Sequence, residues 1–171
     1  MKPVDTVVAA KLVSVAIFGI SYAGLAEALN ISSAEAHAAA KRLVKASLFK
    51  DQGRKVPYPR RQALLEFWVH GLKYVYPAEL GAPARGIPTS IGTQPLRQEF
   101  STPDGGVPVW PSPDGTVRGP ALAPIHPSVL KAMTDERVYE LLSLIDALRE
   151  RRIRERERAA EFLKDRLYSW C

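Results

Sequence analysis

The chain has 171 residues, of which 46% are hydrophobic and 25% are charged, and its formal net charge is +6. This composition excludes a disordered chain and predicts a folded, soluble protein with one main core and an appendage. A lone cysteine, Cys171, excludes an internal disulfide and a cysteine metal cluster. The first apolar stretch, residues 7–20, is too short to span a bilayer, so we expect a cytoplasmic protein with no membrane contact.

The positive charge is concentrated in the first half of the chain. Residues 1–76 contain 11 basic and five acidic residues, whereas the two signs balance over 77–171. Within 41–61, eight basic residues accompany a single acid, Asp51. A local field of this strength attracts a polyanion, although a solvated basic surface has the same composition.

Residues 1–76 have the pattern of three helices. The first begins near Pro3 and has an apolar face at helical spacing. Ser21 is a good N-cap for the second helix, and Asn30 tolerates a left-handed turn after it. Ser32 or Ser33 then caps the third helix, whose inner side carries alanines and Leu43.

The pattern changes after the third helix. Residues 49–56 predict two short strands around a turn at Gln52-Gly53, which Pro57 and Pro59 end. A further helix is expected from Arg60 to about residue 74.

Residues 77–127 hold 11 of the 14 prolines and seven of the 11 glycines. No helical period survives there, so we expect an irregular segment that wraps over a helical surface. Its one expected regular feature is an edge hairpin over 107–117 that turns at Asp114-Gly115. A role in meeting a partner protein or lining a ligand pocket stays open.

Residues 128–171 predict a long C-terminal helix capped by Thr134. The charged run Arg149–Arg158 is interpreted as its solvated middle, held by pairs four residues apart: Arg151 with Glu155, and Glu150 with Arg154. Apolar residues on either side of the run predict packing against the preceding segment or a second subunit.

The segment 22–43 predicts a helix-turn-helix. Ala26 suits a close helix crossing and Asn30 suits the turn, while apolar residues from both helices supply a shared core. In this register the outer face of the third helix carries Ser33, His37 and Lys41. Free N–H groups at the helix start, with the serines, are expected to meet a phosphate, and His37 to donate to a base or phosphate. The basic turn is placed where a wing reaches the minor groove. The full set of expected DNA contacts is Ser32, Ser33, His37, Lys41, Arg42, Lys45, Gln52, Arg54 and Lys55.

The motifs Leu25–Ser33 and Lys41–Phe49, followed by a basic turn, resemble bacterial MarR-like winged-helix regulators over roughly residues 5–60. The resemblance implies a recognition helix and a wing that bind duplex DNA as a homodimer. Residues 139–149 and 154–158 are similar to the tails of poorly characterised bacterial regulators. The third helix has no arginine in its first two turns, so affinity is expected from phosphates and DNA shape.

The sequence thus predicts a mainly α fold: a winged helix-turn-helix with a short β-hairpin wing (1–76), a Pro/Gly-rich irregular covering segment (77–127) and a C-terminal helical dimerisation region (128–171). The dimer is expected to use the first and last helices. The expected function is a DNA-binding repressor or autoregulator, with no cofactor, no metal site and no enzymatic activity. The three histidines lack metal-type spacing, and no nucleophile or phosphate-cradling motif occurs. The alternatives are a protein-interaction module, such as an antitoxin-like or defence-system partner that uses 77–127, and a protein that binds structured RNA.

Overall fold

A computed structural model describes the whole chain, residues 1–171. The chain forms two compact units, and neither is a continuous stretch. Unit 1 comprises residues 1–67, 125–139 and 164–171, and unit 2 comprises residues 68–124 and 140–163. This division differs from the three consecutive regions expected from composition, because the C-terminal segment contributes to both units.

In unit 1, helix α1 (Pro3–Ser14) is buried on nearly all sides. Its start is fixed because the backbone N–H of Lys2 donates to the Asp5 carboxylate at 2.7 Å and Pro3 takes the first helical position. A helix that is buried on all its faces within one chain leaves little surface for a second subunit. The burial of α1 therefore does not support its expected use as a dimer surface.

Helices α2 (Tyr22–Leu29) and α3 (Ser33–Lys45) form as their capping residues predict. The hydroxyl oxygen of Ser21 accepts from the backbone N–H of Gly24 at 3.0 Å, and that of Ser32 accepts from Glu35 at 3.1 Å. Between the helices, Asn30 adopts the left-handed conformation, with φ 50°. The inner side of α3 is buried through Ala36, Ala39, Ala40 and Leu43.

Strands β1 (Phe49–Gln52) and β2 (Lys55–Pro59) form an antiparallel hairpin. Gly53, at φ 70°, lies in the turn. The two expected strands are present, and the second ends at Pro59 as expected, but Pro57 lies inside it and does not end it. A two-stranded sheet has an outer edge on every strand, so a residue without an N–H is tolerated there.

The fold is mixed α and β, with two small sheets, and the expectation of a mainly α protein is wrong. The Pro/Gly-rich stretch expected to be irregular contains strands β3 (Leu80–Pro88), β4 (Val109–Pro111) and β5 (Val117–Leu122). These close on one another in unit 2: β3 is antiparallel to both β4 and β5, and β4 pairs with β5 in parallel. The expected hairpin over 107–117 is wrong for the same reason, since both its arms pair with β3.

Glycines allow these three strands to close. A Cβ added at Gly86 would lie 2.2 Å from the carbonyl oxygen of Trp110, and one at Gly119 would lie 1.9 Å from that of Val107. Only a residue without a side chain permits backbones to approach this closely. The glycine content that suggested irregular structure is thus a requirement of the sheet.

The helices after unit 1's hairpin begin with α4 (Arg61–Glu66), which continues through a π turn (Phe67–Gly71) into α5 (Leu72–Val75). They end with α6 (Val129–Ala132), α7 (Glu136–Arg149) and α8 (Ile153–Trp170). Asp135 caps α7 by accepting from the backbone N–H groups of Arg137 and Val138, so the expected cap at Thr134 is wrong by one residue. No helix combines the length and apolar character needed to cross a bilayer.

The expected single long C-terminal helix is wrong because it breaks at residues 150–152. At the break, Arg149 donates to the carbonyl oxygen of Tyr76 at 2.7 Å and to Asp146 at 2.6 Å. The charged run is therefore not a solvated helix middle. Arg158, at its end, pairs with Glu99 and Glu161 rather than within the run.

A buried carboxylate organises unit 2. Asp146 accepts from the indole N–H of Trp110 at 2.6 Å and from the hydroxyl of Thr89 at 2.9 Å, besides its pair with Arg149. Burial raises the pKa of Asp146, and these donors and the nearby guanidinium act against that rise. The network joins the residue after β3, strand β4 and helix α7.

Candidate nucleic-acid interface

The outer face of α3 is exposed in the register that the sequence predicts. Ser33, His37, Lys41 and Lys45 follow one another at intervals of four and all reach solvent. Ala34, an exposed residue in the first turn, has a side chain too small to keep another surface away from the backbone. This face is therefore both positively charged and open to close approach.

The two serines at the start of α3 differ in what they offer. The Ser32 oxygen already accepts a backbone hydrogen bond as the N-cap, which leaves its hydroxyl hydrogen to donate. Ser33 is exposed, and its carbonyl oxygen lies 2.8 Å from Nδ1 of His37. The remaining N–H groups of the first turn point in the direction from which an anion would approach.

His37 is held in place by an aromatic neighbour. Its ring stacks on that of Tyr22, the first residue of α2, with centroids 3.8 Å apart and planes 16° from parallel. Burial raises the pKa of Tyr22, and the charge of Asp51 raises it further. Tyr22 and Asp51 were not among the expected site residues, because only the folded chain brings them beside α3.

Arg42 lies apart from the other expected contacts and is occupied. Its Nε and Nη2 donate to the fully buried Asp5 at 2.9 and 2.6 Å, and Nη2 also donates to Glu35 at 2.6 Å. The hydrogen bond from Arg42 lowers the pKa of Glu35, and the bond to Asp5 raises that of Arg42. Arg42 therefore ties α3 to α1, and its expected role as a phosphate contact is not supported by this geometry.

A groove of about 530 Å³ runs between α3 and the β1–β2 hairpin. It brings together four of the expected residues from the two elements: His37, Lys41, Lys45 and Arg54. Gln52 and Lys55 are exposed on the hairpin but do not line the groove, and neither do the two serines. The groove walls are completed by Tyr22, Ala40, Val44, Asp51, Gly53 and Pro57.

Five cations on this surface have no acidic partner. None of them takes part in an ion pair, and all are exposed. They are Lys41, Lys45, Lys50, Arg54 and Lys55. We refer to these five residues as the basic set. Because unpaired charges in one neighbourhood add their fields, the basic set gives the α3–hairpin surface a positive potential.

Other candidate centres are less developed. No group of three or more histidine, cysteine, aspartate or glutamate side chains is arranged to hold a metal ion. His70 is exposed on the π turn, and Nδ1 of His126 lies 2.8 Å from the Ser128 hydroxyl. Trp110, the tryptophan within residues 77–127, is only 1% exposed and donates to Asp146.

Comparison of this chain with protein-family models, with curated proteins and with solved structures finds no match.

Proposed function

We propose that the protein binds duplex DNA through α3 and the β1–β2 hairpin. The observation that carries the proposal is the basic set: five exposed, unpaired cations on two elements that border one groove. Duplex DNA presents phosphates along both edges of its major groove, which is wide enough to admit an α-helix. A helix with cations along its outer face and a small residue in its first turn suits that groove.

The hairpin supports the same assignment. Lys50, Arg54 and Lys55 carry charge beyond the end of α3, in a segment whose one acid is Asp51. A basic hairpin beside a helix in the major groove meets the backbone or the adjacent minor groove. Because Arg42 is paired with Asp5, we assign the phosphate contacts to the basic set alone.

The biological role proposed with this binding is regulation of transcription in the cytoplasm, as a repressor or autoregulator. We also propose a homodimer, because two half-sites double the contact area on DNA. Since α1 is buried, the interface of this homodimer has to use other surfaces. The exposed side chains of Ile17 and Phe18 offer apolar surface for it. Sedimentation equilibrium measures this state directly.

Charge reversal tests the DNA-binding surface. Lys41→Glu and Arg54→Glu change the groove from both sides, whereas Lys164→Glu makes the same charge change at an exposed residue of α8. We expect each groove variant to weaken duplex binding by more than about tenfold at low salt and the control to bind nearly as wild type. Equal losses in all three variants would point to net charge alone and contradict the assigned surface.

The competing functions make different predictions for the same variants. A protein-interaction module that uses residues 77–127 retains its partner when Lys41 and Arg54 are reversed. Trp110, the tryptophan of that segment, is buried and therefore offers no surface to such a partner. An RNA-binding protein would show structured RNA competing better than duplex DNA for the same surface.

A further inference from the structure

His37 presents one free polar atom on the proposed DNA-binding surface. Its Nδ1 lies 2.8 Å from the carbonyl oxygen of Ser33, one turn earlier in α3, and its ring is stacked on Tyr22. No group of the chain forms a hydrogen bond with Nε2, and the side chain is exposed. The stack and the hydrogen bond together determine the orientation of the ring, and therefore of Nε2.

The carbonyl partner determines which nitrogen carries the proton. A carbonyl oxygen only accepts, so in the neutral imidazole the hydrogen lies on Nδ1 and donates to Ser33. Nε2 then has a lone pair and no hydrogen. The expectation that His37 donates to a base or phosphate is thereby reversed for the neutral ring, which offers an acceptor.

An acceptor in the major groove can pair with few groups. Adenine N6 and cytosine N4 are the amino donors there, while guanine N7 and O6, adenine N7 and thymine O4 all accept. Phosphate oxygens accept as well, so Nε2 of the neutral ring gains nothing from the backbone. The basic set supplies phosphate contacts, whereas His37 supplies a contact that depends on the base.

We propose that His37 is a specificity-determining residue that accepts a hydrogen bond from the exocyclic amino group of adenine or cytosine in the major groove, an inference that rests on the proposed DNA binding. Tyr22 is the positioning residue, because its stacked ring restricts the imidazole to the orientation that aims Nε2 outward. Pre-orientation of the ring lowers the entropy lost when the base is bound.

The test begins with selection of duplexes from a random pool by the wild-type protein and by His37→Phe, which keeps an aromatic ring on Tyr22 but has no Nε2. We expect the wild type to select a sequence in which one position per half-site is adenine or cytosine. The Phe variant loses the preference at that position and keeps the others. An unchanged dependence of affinity on salt shows that phosphate contacts are intact.

Base replacement then isolates the hydrogen bond. In the selected duplex, that base is replaced by an analogue without the amino group, purine for adenine or 2-pyrimidinone for cytosine. The wild type should lose about fivefold in affinity, the effect of one net hydrogen bond, and His37→Phe should lose nothing. Tyr22→Ala should reduce the wild-type loss, and Tyr22→Phe should restore it.

The outcomes distinguish a failure of the role of His37 from a failure of the proposed DNA binding. Failure of the wild type to enrich or bind any duplex contradicts DNA binding and removes the inference with it. Enrichment of the same sequence by wild type and His37→Phe, or equal losses on removal of the amino group, contradicts the role of His37 and leaves DNA binding intact.

Discussion

Replacement of Arg42 by alanine separates a structural role from a DNA-contacting role. Arg42 extends from α3 to Asp5, which is fully buried in α1, and a second acid, Glu35, holds the same guanidinium. Arg42→Ala leaves the Asp5 carboxylate inside unit 1 with only the backbone N–H of Lys2 as a donor. The variant is therefore expected to lose stability rather than only DNA affinity.

The size of the loss follows from burial. Removing one partner of a buried ion pair costs about 3–5 kcal/mol, because the other charge stays in a poorly solvated site. The Arg42 side chain is 24% exposed, so water that enters the vacated volume solvates part of the Asp5 charge. We expect a decrease of about 2–3 kcal/mol in the free energy of unfolding. For a chain of this length that corresponds to a fall of roughly 5–10 °C in Tm.

Urea unfolding at neutral pH measures the effect, with Lys41→Ala as the matched control. Lys41 is the preceding residue of the same helix, is exposed and has no ion pair, so its replacement should change stability by less than about 0.5 kcal/mol. If Arg42→Ala is as stable as Lys41→Ala and instead loses DNA affinity to the same extent, the structural role of Arg42 is refuted.

Three further predictions concern unit 2. Gly119→Ala should lower the free energy of unfolding in urea by about 3 kcal/mol or more, because the added Cβ overlaps backbone atoms. Gly105→Ala is the control and should be neutral, because Gly105 has open space around it. Similar values for both variants would contradict the closed sheet. Trp110→Phe removes the indole N–H that donates to Asp146 and should lower the free energy of unfolding by about 2 kcal/mol. A loss below about 0.5 kcal/mol would show that this hydrogen bond is unimportant for stability. Burial raises the pKa of Glu150, so the contribution of this one group to stability falls as pH rises above about 4, the pKa of unfolded glutamate. Glu150→Gln should therefore be more stable than wild type at pH 7 and equal to it near pH 4 in thermal unfolding; a pH-independent difference would contradict this.

The local structure of α2 and α3 was predictable because local chemistry determines it. Ser21 and Ser32 cap their helices through residues three positions away, and Asn30 makes the turn from its own backbone conformation. Each of these signals acts within about four residues along the chain. The exposed face of α3 follows from the same periodicity, which is why His37 and Lys41 lie where expected.

The unit 2 sheet was missed because its causes are distant in sequence. Gly86 is needed in the sheet because it packs directly against the backbone of Trp110. Asp146 accepts hydrogen bonds from Trp110 in β4 and from Thr89, the residue after β3. Nothing within either neighbourhood distinguishes such a glycine from one in a loop. The prolines added to the misinterpretation, because proline usually argues against a strand and yet β3, β4 and β5 each contain at least one.

The same limit applies within the candidate site. Arg42 and Lys41 are neighbouring cations on the same helix, and the sequence does not distinguish them. Only the position of Asp5 in the packed helices shows that Arg42 forms an ion pair and Lys41 does not. Tyr22 joined the site for a similar reason, because its ring reaches His37 across the turn between two helices. A count of charges predicted the surface, while the assignment of individual contacts required the fold.

The salt dependence of duplex binding tests the central claim most directly. Fluorescence anisotropy with a labelled duplex from the protein's own upstream region, and with a scrambled control, gives the affinity across a salt series. If the basic set contacts five phosphates per subunit, log affinity should fall against log salt with a slope of about −4 to −5 for each subunit bound. A preference for the upstream duplex would support a regulator. No binding at low salt, or binding that does not respond to salt, would contradict the account.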